Sequence, residues 1–164
     1  MPLRPDPSFY PSPRMAMAAP KERYAYVAAL DAGAAVGAAQ NDGAVPDGLA
    51  AVDVDPASPS YGQVLHVAEV PTLGDELHHS GWNACSAALC PYAPHPHVER
   101  RYLLLPCLRS SRIFVFDVKA EPGKPRLHRI IEAEEIASRT GYSRPHTLHC
   151  GPRSEERRVG KECL

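Results

Sequence analysis

The sequence predicts a mainly β chain built from about two copies of a small antiparallel sheet, with one short helix. Three observations predict it. Eighteen prolines and eleven glycines among 164 residues interrupt the chain too often for long helices. Between these breaks lie short apolar runs of strand length. Two stretches also echo each other: AVDVDPASPSYGQVLH (51–66) and VFDVKAEPGKPRLH (115–128) share an apolar run ending in Asp-Val, a proline-bearing turn and a strand closing on Leu-His. A small sheet that recurs with a turn after an Asp-bearing strand is the pattern of β-propeller blades. A ring needs roughly 4–8 blades to close. If the repeat is real, the chain is an N-terminal fragment of a propeller, about two blades long, with insertions in its loops.

The elements follow in order. Residues 1–20, rich in Pro, Ser, Arg and Met without periodicity, are expected to lack structure. ERYAYVAAL (22–30) alternates as a strand does, and DAGAAVGAAQNDGAVPDG (31–48) is a loop. Strands are then expected in LAAVDVDP (49–56), YGQVLHVAEV (61–70), RYLLLPCL (101–108), RIFVFDV (112–118) and RLHRII (126–131). IEAEEIASRTG (131–141) is the helix: acidic residues crowd its first turn, Arg139 closes its last, and Gly141 stops it.

A formal charge of −1 gives no net field toward nucleic acid or an anionic membrane, so neither is an expected partner. No apolar run approaches the roughly 20 residues of a membrane-spanning helix, and the N-terminus has no apolar core of a signal peptide. The cytoplasm is the expected compartment, with the periplasm open for a bacterial protein. Five cysteines is an odd number, which favours free or metal-binding thiols over a disulfide framework. Cys85 and Cys90 do not have the two-residue spacing of a zinc knuckle.

GDELHHSGWNACSAALC (74–90) concentrates chemistry, with adjacent His78 and His79, the one tryptophan and two cysteines. Adjacent residues of an extended chain point to opposite faces, so both imidazoles reach one metal only across a bend. His146 and His149 in PHTLHC are three apart and converge on one face of a helical turn, with Cys150 beside them. The two pairs follow corresponding copies of the repeat, so on successive blades their loops emerge at one end. Imidazole with nearby thiol suits copper, zinc, iron or nickel rather than magnesium or calcium. Taken singly, each histidine is an ordinary surface or core residue. Trp82 reads as a wall of the core, Cys107 as a small buried residue, and His95 and His97, between prolines, as an exposed loop. The phosphate-loop, nucleophile-elbow and His-Glu-x-x-His motifs are absent, against kinase, hydrolase and zincin chemistry.

VDVDPASPSYGQVLH, GDELHHSGWNACS, RYLLLPCLRSSRIFVFD and TGYSRPHTLHC, in this order, resemble the selenium-binding protein family, which includes methanethiol oxidases. The resemblance spans about residues 21–152 and roughly the N-terminal third of a family member. It implies a β-propeller and a copper-dependent oxidase that takes a small thiol and O2, turning methanethiol, O2 and water into formaldehyde, hydrogen sulfide and hydrogen peroxide. It also implies that His78, His79, His146 and His149 are the metal candidates, with Cys85 and Cys150 as secondary thiols and no catalytic residue assigned. The alternative is a protein that carries selenium or a metal without turnover; a scaffold with no chemistry is a third reading.

Two departures qualify the resemblance. Animal members place a cysteine credited with selenium attachment where this chain has Gly62, so that position offers no thiol. The Cys-Ser-Ser-Cys run of many members is CSAALC here, keeping Cys85 and moving the second thiol to Cys90, which looks like bacterial-type members. Residues 153–164, RSEERRVGKECL, fit no blade pattern and resemble the translation of a sequencing adapter, so they are expected to be a non-native tail. The C-terminal blades needed for closure are then missing, and the chain alone is expected to be inactive.

Overall fold

The computed structural model describes residues 13–18, 21–31, 33, 36, 43–83 and 100–148. Two antiparallel sheets make up the body. The first has β1 (Tyr24–Ala29), β2 (Gly48–Asp53) and β3 (Val64–Glu69) in that order; the second has β4 (Gly81–Trp82), β5 (Tyr102–Pro106), β6 (Ile113–Asp117) and β7 (Arg126–Ile131). Each is a meander, in which consecutive strands are neighbours. A helix (Ala133–Thr140) follows β7 and ends on Gly141 at φ 74, whose N–H returns to the Ala137 carbonyl at 2.9 Å. Glycine reaches that left-handed conformation without a Cβ penalty. A second, six-residue helix occupies Pro13–Ala18, within the segment expected to lack structure; the rest of that segment, and the 153–164 tail, lie outside the described residues.

Side-chain alternation decides which face of each sheet is inside. Leu103, Phe116 and Leu127 stand opposite one another across β5, β6 and β7, as do Leu105, Phe114 and Ile130. Residues directly opposite share a face, and these pack against Tyr26, Ala28, Leu49 and Ala68 of the first sheet in one core. Phe114, Phe116 and Leu105 are fully buried there. Tyr26 fastens the sheets together: its ring meets Trp82 edge-on at 6.2 Å and its hydroxyl donates to the Pro122 carbonyl at 2.9 Å. Burial, with Tyr24 nearby, pushes the Tyr26 phenol up to about 12. The other face of the first sheet carries Ala25, Val27, Ala50, Val52, Val64 and Val67, and Val27, Val64 and Val67 are exposed on it.

The repeat seen in the sequence is structural. Both hairpins bulge at one place, between Ala51 and Val52 and between Val115 and Phe116, just before the shared Asp. Both aspartates then accept a bond from the N–H two residues on: Asp55 to Asp53 at 2.9 Å, Lys119 to Asp117 at 3.0 Å. This local turn is what the Asp supplies. The closing Leu-His pairs are not equivalent, however. Val52 faces Val64 while Phe116 faces Leu127, and Ala51 faces His66 while Val115 faces Arg129. His66 therefore matches Arg129, and the apparent His66/His128 correspondence is one residue out of register.

Asp117 also carries a pH dependence. The Arg101 guanidinium, bonding it at 2.6 and 2.9 Å, holds its carboxyl below the ordinary carboxylate range, and the N–H groups of Lys119 and Ala120 add to this. A carboxyl depressed in the folded state contributes stability above its unfolded value, about 3.9, which is lost as pH falls through the lower folded value. Urea midpoints are expected to drop as pH is lowered below about 4, and Asp117→Asn to flatten that part of the profile. An unchanged slope in Asp117→Asn counts against the assignment.

A histidine cluster at one end of the sheets

The connections that leave β3, β5 and β7 at the same end carry the site. After β3 the chain runs through PTLGDELHHS along the turn that follows β5. His78 N–H donates to the Pro106 carbonyl at 2.8 Å, Leu108 N–H to the Glu76 carbonyl at 3.1 Å and Arg109 N–H to the Asp75 carbonyl at 3.2 Å. Leu77 and Cys107 form an isolated antiparallel bridge between these hydrogen bonds, and both side chains are buried. Burial is the main reason that the Cys107 thiol is pushed far up, which keeps it unreactive.

Two buried carboxylates fix this loop. Asp47, fully buried, accepts the Leu77 N–H at 3.1 Å and the Asp31 N–H at 2.9 Å, so the β1–β2 connection grips the histidine loop. Asp75, also fully buried, accepts from the Thr72 hydroxyl and from Arg112 Nη1 at 3.1 Å. Arg112 Nε bonds Glu132 at 2.8 Å, at the residue that caps the helix Ala133–Thr140. One guanidinium thus joins the first histidine loop to the segment leading to His146.

The second loop returns beside the first. His79 and Thr147 form a parallel bridge. Gly81 makes this approach feasible, since a Cβ there would stand 2.4 Å from the Leu148 carbonyl oxygen. His78 and His146 rings lie 4.4 Å apart between centroids, His79 and His146 4.9 Å, and His78 and His79 5.8 Å. Two residues before the pair stands Glu76, a non-glycine residue at φ 60. Each ring also has a polar partner: His78 Nε2 lies 3.1 Å from Glu76 Oε1, His146 Nδ1 2.9 Å from Thr147 Oγ1, and His79 Nδ1 3.4 Å from the same hydroxyl. Glu76 is held below the ordinary carboxylate range, chiefly by its bond to His78 and then by the Arg109 charge.

The structure thus brings His78, His79 and His146 together. His149, Cys85, Cys90, Cys150, His95 and His97 lie outside the described residues. Gly62 sits in the β2–β3 turn at φ 78, at the opposite end of that sheet from the histidines. As the side chains stand, no three His, Cys, Asp or Glu groups among the described residues converge on a common point suited to a metal ion. Trp82 packs against the core, with the Arg100 guanidinium over its ring at 4.1 Å.

The protein-family model described as "56kDa selenium binding protein (SBP56)" matches residues 3–157. The chain belongs to the selenium-binding protein family. It is 45% identical over 141 residues to "Selenium-binding protein 1" of Arabidopsis thaliana and 45% identical over 141 residues to "Methanethiol oxidase" of Xenopus laevis. Both comparisons cover 86% of this chain, but only 26% and 28% of those proteins, so the chain spans about a quarter of their length. Its structure is similar to the X-ray structure of a hypothetical selenium-binding protein from Sulfolobus tokodaii, with TM-score 0.77 and 51% identity, covering 90% of this chain and 30% of that one. The family match takes in both sheets and both histidine loops. Among the described residues no helix is long and apolar enough to cross a membrane.

Proposed function

We propose that the full-length selenium-binding protein corresponding to this chain is a copper-dependent methanethiol oxidase, and that the two sheets are successive blades of its β-propeller. In the reaction, methanethiol, dioxygen and water, one molecule of each, become formaldehyde, hydrogen sulfide and hydrogen peroxide. One observation carries the reading: three imidazoles from loops 68 residues apart in sequence meet at one end of adjacent sheets, with ring centroids 4.4 to 5.8 Å apart. Relatives named methanethiol oxidase support the substrate, a small thiol.

The donor chemistry fits copper, which imidazole ligates well. His78 keeps Nδ1 free of its Glu76 bond, and His79 and His146 keep Nε2 free of theirs to Thr147. An outer partner on the non-ligating nitrogen is the usual support of a histidine ligand. His149 is the fourth candidate. Bound copper would supply electron exchange between a thiolate and oxygen. The chain's own part is to hold the three rings: Glu76 orients His78, Thr147 orients His79 and His146, and exposed His79 leaves the cluster open to a small substrate.

The test is copper titration of the full-length protein with parallel assay of methanethiol and oxygen consumption. Near-stoichiometric copper and turnover are expected. His146→Ala is expected to weaken copper binding by about 100-fold or more, since loss of an outer partner alone costs about 10–100-fold. Full copper loading without consumption of either reactant would favour a carrier of metal or selenium; other relatives are named selenium-binding proteins.

A further inference from the structure

Glu76 occupies a backbone conformation in which glycine would be unstrained. Its peptide is locked there by the bonds of Asp75, Glu76 and His78 to residues 106–109. The side chain supplies a reason for the strain. One oxygen, Oε1, lies 3.1 Å from His78 Nε2, and the other, Oε2, lies 2.5 Å from Arg109 Nε. Both carboxylate and imidazole are about three-quarters removed from solvent, at 22% and 23% exposure. An ionised carboxylate only accepts hydrogen bonds, so the proton between it and His78 must sit on the imidazole.

We propose that the Glu76 carboxylate, braced by Arg109, is a positioning residue that locks His78 as the tautomer protonated on Nε2, leaving Nδ1 as the nitrogen this ring offers to a ligand. The purpose of the lock rests on the metal-site reading above; its geometry does not. A purely structural ion pair between Glu76 and Arg109 would tie the loop to the 107–112 turn and leave the imidazole free to choose either tautomer.

The two roles separate in the metal-free 164-residue chain labelled with 15N-histidine, at about pH 8, above the ordinary histidine value. Protonated and unprotonated ring nitrogens differ widely in 15N shift. His78 is expected to show protonated Nε2 and unprotonated Nδ1. Glu76→Gln has only one oxygen, which the Arg109 cation claims, so its NH2 faces His78 and is expected to shift the ring toward the form protonated on Nδ1. Glu76→Gly, which suits the backbone, is expected to keep the fold and convert His78 to a mixture of tautomers. Protonated Nδ1 in the unaltered chain, or an unchanged pattern in Glu76→Gly, would overturn the proposal. A locked tautomer in a protein that binds no copper upholds it while removing the copper reading; tight copper binding with the opposite tautomer does the reverse.

Discussion

Arg112→Ala is expected to destabilise the chain by about 3 kcal/mol, the low end of the cost of removing one partner from a buried ion pair, because Asp75 is buried while Arg112 itself is 28% exposed. Asp75 is fully buried, so it cannot recover water when its cation leaves. The same substitution cuts the 2.8 Å bond to Glu132, releasing the start of the helix that leads toward His146. Both histidine loops loosen at once, because one side chain holds both. Lysine should restore only part of the loss, since a single ammonium cannot match a guanidinium fork that reaches two separate carboxylates. Urea unfolding measures the stability change, and contacts between His78 and His146 ring protons in NMR report the loops. A variant within about 1 kcal/mol of the original, the range of a surface pair, with those contacts intact would refute the assignment.

The second large effect is expected from Gly81→Ala. The added methyl would stand 2.4 Å from the Leu148 oxygen and 2.8 Å from its Cβ, where real Cβ contacts essentially never come within 3.0 Å. Both obstacles sit close to backbone, so no flexible side-chain end can swing aside; the segment carrying His146 must retreat. Overpacking of this kind costs about 1–3 kcal/mol, and Gly81 does not have a positive φ, so the cost is steric. The expected readout is a wider separation of His146 from His78 and His79, together with weaker copper binding by the full-length protein. Gly81→Ala with all three rings still in contact would show that the close approach is not required.

Much of this was legible from local pattern. Prolines and glycines bounded the longer strands to within a few residues, because strands and turns draw on different residue types. The Asp-Val echo showed where two hairpins repeat, and hence why loops far apart in sequence leave at one end. What stayed hidden depended on approach in space. Gly81 is one glycine among several until Leu148 is placed against it, and Arg112 is one arginine among many until two carboxylates flank it. β4 has only two residues, too short for any alternation. The Leu-His echo misled by one position: both hairpins bulge alike, but Leu65 stands in the first where His128 stands in the second, so matching letters occupy different places.

Thr147 leaves a consequence for how the cluster handles hydrogen. Its single hydroxyl stands 2.9 Å from His146 Nδ1 and 3.4 Å from His79 Nδ1. A hydroxyl has one hydrogen to give and two lone pairs to receive with, so it cannot donate to both rings at once. When it donates to one, the other ring keeps its bond only by donating back. When both rings donate, both Nε2 atoms are left bare. The tautomers of exposed His79 and half-buried His146 are therefore coupled through one hydroxyl: for both bonds to stand, at least one of the two rings must carry its hydrogen on Nδ1.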